Sequence, residues 1–283
     1  MKLWSVSLLG GCLLADAVVG YHFASKADAT NSLVIQLSEP LHLGGKTYTT
    51  LCAADIPAMR KLTVQDFNGQ EDAAVELETD DGKKATAHTC EEWETLNAKK
   101  YYARNGSAMI LQFPFVEASA IFTAIQHAKT PKVSYLKQVG VRNLELLPVE
   151  VLRYRESDDQ ALHEQLTAQG VSIAELIKRK LVKVSNDDEP TKQSPQFVRL
   201  LWGGKLTGGP LGNEEEWELK SAYLQEIARA DFSGGGLEEI LVQAGTHEAG
   251  SGFTYGFCLL TRTTPTGLFQ FKPCRGNYGG FGN

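Results

Sequence analysis

The chain of 283 residues is 42% apolar and 22% charged, enough to bury one large core or two modest ones and too apolar for wholesale disorder. Its net charge is −6 and no block of Lys and Arg stands out, which argues against a nucleic-acid backbone or an anionic membrane surface as partner. At the N-terminus, Met1 and Lys2 precede an apolar run from Leu3 to Leu14 and then small residues, the pattern of a secretory leader. Ala15-Asp16-Ala17, Val18-Val19-Gly20 and Ala27-Asp28-Ala29 are candidate cleavage points, so residues 1–29 read as a signal peptide cut between 17 and 29. The run is too short to cross a bilayer, and no transmembrane segment is expected once it is removed. The product is expected in the periplasm or outside the cell. Leu9-Gly10-Gly11-Cys12 also fits a lipoprotein box, but the stretch before Cys12 is short and apolar residues continue where a polar tether belongs.

The expected class is α+β: a small N-terminal sheet with helices over 30–150, a helical connector over 151–189, and an antiparallel β meander over 190–283. Leu33, Ile35 and Leu37 alternate with polar positions; after a break at Pro40, Gly44-Gly45 makes a hairpin turn. Further strands lie between Leu62 and Leu77 around Asp66-Phe67-Asn68-Gly69, and Asp80-Asp81-Gly82 closes another turn. Thr89 caps a helix beginning at Cys90, with Glu91 and Glu92 in its first turn and Lys99 and Lys100 toward its end, matching the helix dipole. Val116 to Ala128 is a second helix, and Ser172 with Glu175 opens a third that ends in the solvated basic cluster Lys178, Arg179, Lys180 and Lys183. The acidic, proline-containing stretch from Asn186 to Pro195 marks a surface linker. Beyond it, Phe197–Trp202, Trp217–Arg229, Glu239–Ala244, Phe253–Arg262 and Leu268–Phe271 are the expected strands, and the glycine-rich tail from Gly276 is expected to be mobile.

Removing the leader leaves Cys52, Cys90, Cys258 and Cys274, an even number that suggests two disulfides in an exported chain. Of three connectivities, Cys52 with Cys90 and Cys258 with Cys274 is favoured because each pair is nearest in sequence. No C-x-x-C or closely spaced Cys/His set points to zinc.

Asp231, Ser233, Gly235 and Glu239 stand at the first, third, fifth and ninth positions of a loop with Gly236 at the turn, the spacing by which alternate oxygens wrap a calcium ion. Ile240, Leu241 and Val242 follow as an apolar strand. This stretch resembles one FG-GAP repeat, the calcium-loop unit of integrin-like propellers and of many exported bacterial proteins. The resemblance implies calcium at Asp231, Ser233 and Glu239. Gly235 supplies no side-chain oxygen, so the site is expected to be weak or lost, and the loop to persist as a backbone turn. A shorter echo runs from Asp66 to Val75.

The search for catalytic chemistry is mostly negative. Ser134-Tyr135-Leu136-Lys137 matches S-x-x-K but lacks the S-D-N and K-T-G companions; Ala249-Gly250-Ser251-Gly252 lacks the spacing of a nucleophile elbow; Gly203-Gly204-Lys205 lacks the rest of a phosphate loop. Of six histidines, His247, with Glu248 beside it in a glycine-rich turn, is the best acid/base candidate. Acidic clusters at Asp80-Asp81, Asp187-Asp188-Glu189 and Glu214-Glu215-Glu216 would present a negative face to a cationic partner, although most such runs serve only to keep a protein soluble. The balance favours a binding protein over an enzyme, for example an immunity or inhibitor protein that neutralises a toxin or cell-wall hydrolase. The alternatives are a hydrolase whose residues are dispersed in sequence, and a calcium-stabilised envelope or adhesion module.

Overall fold

The computed structural model describes residues 33–66, 69, 71–137, 139–152, 157–185, 197–202, 220–248 and 252–280, with 157–162, 220, 247–248, 252–254 and 273–280 described as backbone alone. The expected linker and the acidic clusters at 187–189 and 214–216 lie outside these residues.

The fold is α+β. Strands β1 (Val34–Leu43) and β2 (Lys46–Cys52) form the expected hairpin, turning where Gly44 and Gly45 take φ +54 and +73. Pro40 does not end β1: it sits in a bulge, where a residue without an N–H is tolerated. A second hairpin pairs β3 (Val75–Glu78) with β4 (Lys84–Ala87) around Gly82 at φ +81. At its turn, Asp80 pairs with Arg104 and Asp81 with Lys83.

After the short helix α1 (Ile56–Met59), α2 (Cys90–Ala98) starts on a complete capping box: Thr89 takes the Glu92 N–H, and the Glu92 carboxylate takes the Thr89 N–H. Helices α3 (Gly106–Leu111) and α4 (Phe113–Gln126) follow in close succession. By length and composition the whole segment Gly106–Gln126 could cross a bilayer, with a mean hydropathy of 1.6. Half of it is buried within the fold, where Phe115, Val116, Ile121, Phe122 and Ile125 of α4 pack into the core. Each such residue contributes about 1.5 to 3 kcal/mol by leaving water. Helix α5 (Ser157–Ala168) leads to α6 (Ile173–Lys178), capped by Ser172 through the Glu175 N–H.

Strands β5 (Lys183–Val184), β6 (Phe197–Trp202), β7 (Lys220–Ala230), β8 (Glu239–Glu248), β9 (Gly252–Thr261) and β10 (Gln270–Gly280) complete the chain. The tail expected to be mobile is strand as far as Gly280. β7 to β10 form the antiparallel meander, and β1 joins its edge by pairing Leu37 with Ala228, so the N-terminal hairpin and the meander share one eight-stranded sheet.

Alternating side chains give the sheet two apolar faces. On one, Leu200, Trp202, Leu224, Val242 and Leu260 pack against the 136–152 segment, α5 and α6; on the other, Leu37, Ile227, Leu241, Tyr255 and Phe257 pack against α1 to α4. Two arginines bolt the 135–139 segment down. Arg229 bonds Glu226 and donates to the carbonyls of Leu136 and Val139, both at 2.9 Å; Arg262 donates to the Tyr135 carbonyl at 2.9 Å.

The cysteines correct half of the expected pairing. Cys52 and Cys90 are buried free thiols. Cys52 closes β2, whereas Cys90 opens α2 and points its Sγ at the Phe115 carbonyl, 3.6 Å away, so each packs as a small apolar residue. Burial first, and the Glu94 charge second, push the Cys90 thiol far above its ordinary range, which leaves it unreactive. Cys258 is disulfide-bonded. Position 274 runs beside it on β10, between the registered pairs Leu259 with Lys272 and Phe257 with Arg275.

Candidate functional site

β7 carries two neighbours on one edge. β6 pairs with it from Lys220 to Gln225, and β1 takes over at Ala228. At the change-over β7 bulges between Glu226 and Ala228, and β1 slips register against β2 between Gln36 and Leu41. Bulges free residues from the ladder and re-aim their side chains. The residues freed here include Ser38, Glu39 and Pro40, and they line a cavity of about 630 Å³. Leu41, His42, Val64, Gln65, Asp66, Pro114 and Glu117 of α4, with Gln225 of β7 and Gln243 of β8, complete its wall. Gln225 and Gln243 face each other across the ladder, a pair of amides on a row of the sheet that otherwise packs against the helices.

Glu117 is partly buried in the cavity wall. Burial, and then the neighbouring Glu39 charge, push its carboxyl up to about 7. Glu39 Oε1 is itself buried and accepts no hydrogen bond. Burial and the Glu117 charge together raise the Tyr223 hydroxyl well above its usual range, which sets Tyr223 within electrostatic reach of the same carboxyl. The Tyr223 ring stacks on Phe197 at 6.1 Å and lies directly over Gly245: a methyl group on Gly245 would stand 2.2 Å from its Cε1. Gly245→Ala is therefore expected to cost about 1 to 3 kcal/mol by overpacking, read as a lower urea midpoint with an unchanged slope. In a Tyr223→Ala background most of that loss should disappear.

No family model, curated protein or solved structure matches this chain.

The calcium-like loop has its own cation. Glu239, 1% exposed, accepts from the Ser233 N–H at 2.7 Å and the Ser233 hydroxyl at 2.9 Å, and pairs with Lys272 of β10. The Lys272 ammonium also reaches Ser233 Oγ at 3.3 Å. Asp231 Oδ2 takes the Gly236 N–H at 2.8 Å, and Gly234 and Gly236 adopt φ +76 and +83, so the loop is a closed backbone turn. Residues 129–133 brace it through bridges Lys129 with Asp231 and Val133 with Leu237. An ammonium among the oxygens that the FG-GAP pattern would give to calcium does not fit the metal, and no group of three metal-ligating side chains stands together among the described residues. Excess calcium followed by chelator is expected to leave the melting temperature within about 1 °C; a rise of several degrees would show a bound ion.

The other candidates scatter. His247 and Glu248 end β8, opposite Ser221 and Lys220 of β7, and their side chains are outside those described. Position 247 lies four residues beyond Gln243, roughly 13 Å along the strand. Ser134 is not one helical turn from Lys137: it sits in a loop, donates to Glu238 and accepts the Leu136 N–H at 3.1 Å, an anchoring role. The residues that line the cavity were not singled out by motif. One signal was present: Glu117 is the sole charged residue in a largely apolar helix, a position at which a carboxyl meets either a partner or a cavity.

Proposed function

We propose that the protein is an exported binder that engages a segment of another protein, in the manner of an immunity or inhibitor protein, with the cavity at the sheet fork as its point of engagement. The observation that carries this reading is the cavity itself: about 630 Å³, walled by carboxyl, amide and imidazole groups where two strands part from a common neighbour. Sites of this size with a few convergent polar groups are where proteins take ligands. The leader-like N-terminus, the disulfide at Cys258 and the net charge of −6 support an exported, oxidised, acidic binder. The test is capture from the source organism's envelope extract with the wild type and a Glu39→Arg variant side by side, after circular dichroism shows matching folds. One protein held in stoichiometric amount by the wild type and lost by the variant supports the reading. Equal retention by both, or none by either, contradicts it.

One observation favours a second reading. A carboxyl held protonated near neutrality beside a second carboxylate is the arrangement of a general acid and its charged partner, so a hydrolase with Glu117 as acid and Glu39 as base or stabiliser is the runner-up. A hydrolytic turnover that falls at least a hundredfold in Glu117→Gln would decide for it.

A further inference from the structure

Resting on the reading of the fork cavity as the binding site, we infer that its occupant is a positively charged nitrogen head, an arginine or lysine side chain presented on an extended segment of the partner protein. Elsewhere in the fold, Glu226 has Arg229, Glu239 has Lys272 and Glu94 has Arg60, whereas the buried Asp231 is held by the Gly236 N–H and keeps its Oδ1 without a donor. Glu39 and Glu117 have no cation among the described residues. Among the described residues, Glu39, Glu117 and Asp66 line the cavity, no Lys or Arg does, and His42 is the one base in the wall. Glu39 Oε1 is an acceptor out of water with no donor, a state that an incoming N–H relieves. A guanidinium brings five donors in a planar fork, suited to carboxylates from two directions and to the side-chain carbonyls of Gln225 and Gln243. The volume exceeds what one side chain fills, which leaves room for flanking backbone beside the apolar parts of Pro40, Leu41, Val64 and Pro114.

The titratable groups facing Glu117 set how binding depends on pH. They are Glu39 and His42 from β1, Asp66 from the adjoining segment and Tyr223 from β7. A cation seated here favours the ionised form of Glu117, so binding expels its proton and tightens as pH rises.

The probes are N-acetyl-arginine methylamide and N-acetyl-lysine methylamide, with the citrulline analogue as a neutral isostere of the first and agmatine as a guanidinium without the peptide. Calorimetric titration of the mature full chain at pH 5.5 and pH 8, in two buffers of different ionisation enthalpy, reads affinity and proton release together. Expected are at least tenfold tighter binding of a cationic probe than of citrulline, at least tenfold tightening from pH 5.5 to 8, proton release near pH 6.5, and at least tenfold loss in Glu39→Gln and Glu117→Gln. Citrulline binding as tightly as arginine, or no cationic probe binding at 10 mM to folded protein, overturns the inference. Agmatine outbinding the capped arginine overturns the choice of a protein side chain. If the probes fail while a captured protein is still lost by Glu39→Arg, the cation chemistry is wrong and the binder reading stands; if the capture fails too, both fall.

Discussion

Lys272→Met is expected to lower the unfolding free energy by about 2 to 4 kcal/mol. Glu239 is 1% exposed, whereas the Lys272 side chain keeps 42% of its surface. Removing the ammonium leaves a carboxylate out of water with only the Ser233 N–H and hydroxyl to hold it. Breaking a buried pair from one side costs about 3 to 5 kcal/mol, and the half-exposed lysine lowers that figure by letting water reach the gap. Glu239→Gln combined with Lys272→Met should recover most of the loss, because no charge then remains to be solvated. Urea unfolding of the two single variants and the double variant checks this. Near-neutral behaviour of Lys272→Met alone would mean that the loop is not held by this pair.

Glu117→Gln is expected to stabilise the protein in alkaline solution and to do nothing in acid. The folded carboxyl titrates at about 7, above its ordinary 4.5. Below about pH 4.5 the folded and unfolded chains both carry the proton, and the residue costs nothing. Between 4.5 and 7 the unfolded chain ionises first, so stability falls as pH rises; above 7 the loss is complete at about 3 kcal/mol. Glutamine, neutral throughout, avoids that loss. The difference in stability between wild type and variant should grow from near zero at pH 4 to about 3 kcal/mol at pH 8. A constant offset across this range would show that the substitution acts by packing and not by charge. Glu39→Gln should reduce the effect by removing the second cause of the shift while leaving burial in place.

Much of the fold was legible because it is written locally. Gly44 and Gly45 turn the first hairpin, Thr89 and Glu92 close a capping box, Ser172 caps its helix, and Phe197–Trp202 matches β6 residue for residue. What could not be read is what distant segments do to one another. Pro40 looked like the end of a strand; it is a bulge whose use appears only when Leu37 pairs with Ala228 far along the chain. Cys52 and Cys90 looked like partners because they are close in sequence, but one ends a strand and the other begins a helix facing Phe115. The loop at Asp231 is a backbone turn, and the lysine among its oxygens comes from β10, which no local pattern announces. Glu117, Gln225 and Gln243 carry no motif because a cavity at a sheet fork is a property of topology, not of spacing.

The most direct measurement is a carbon-13 NMR titration of the Glu117 side-chain carboxyl in glutamate-labelled protein, assigned by its loss in Glu117→Gln, alone and with saturating N-acetyl-arginine methylamide. The structure predicts a midpoint near 7 in the free protein, moving clearly downward when the probe is present. A midpoint in the ordinary carboxylate range, or one that the probe leaves in place, would contradict a cavity-wall acid built to receive a cation.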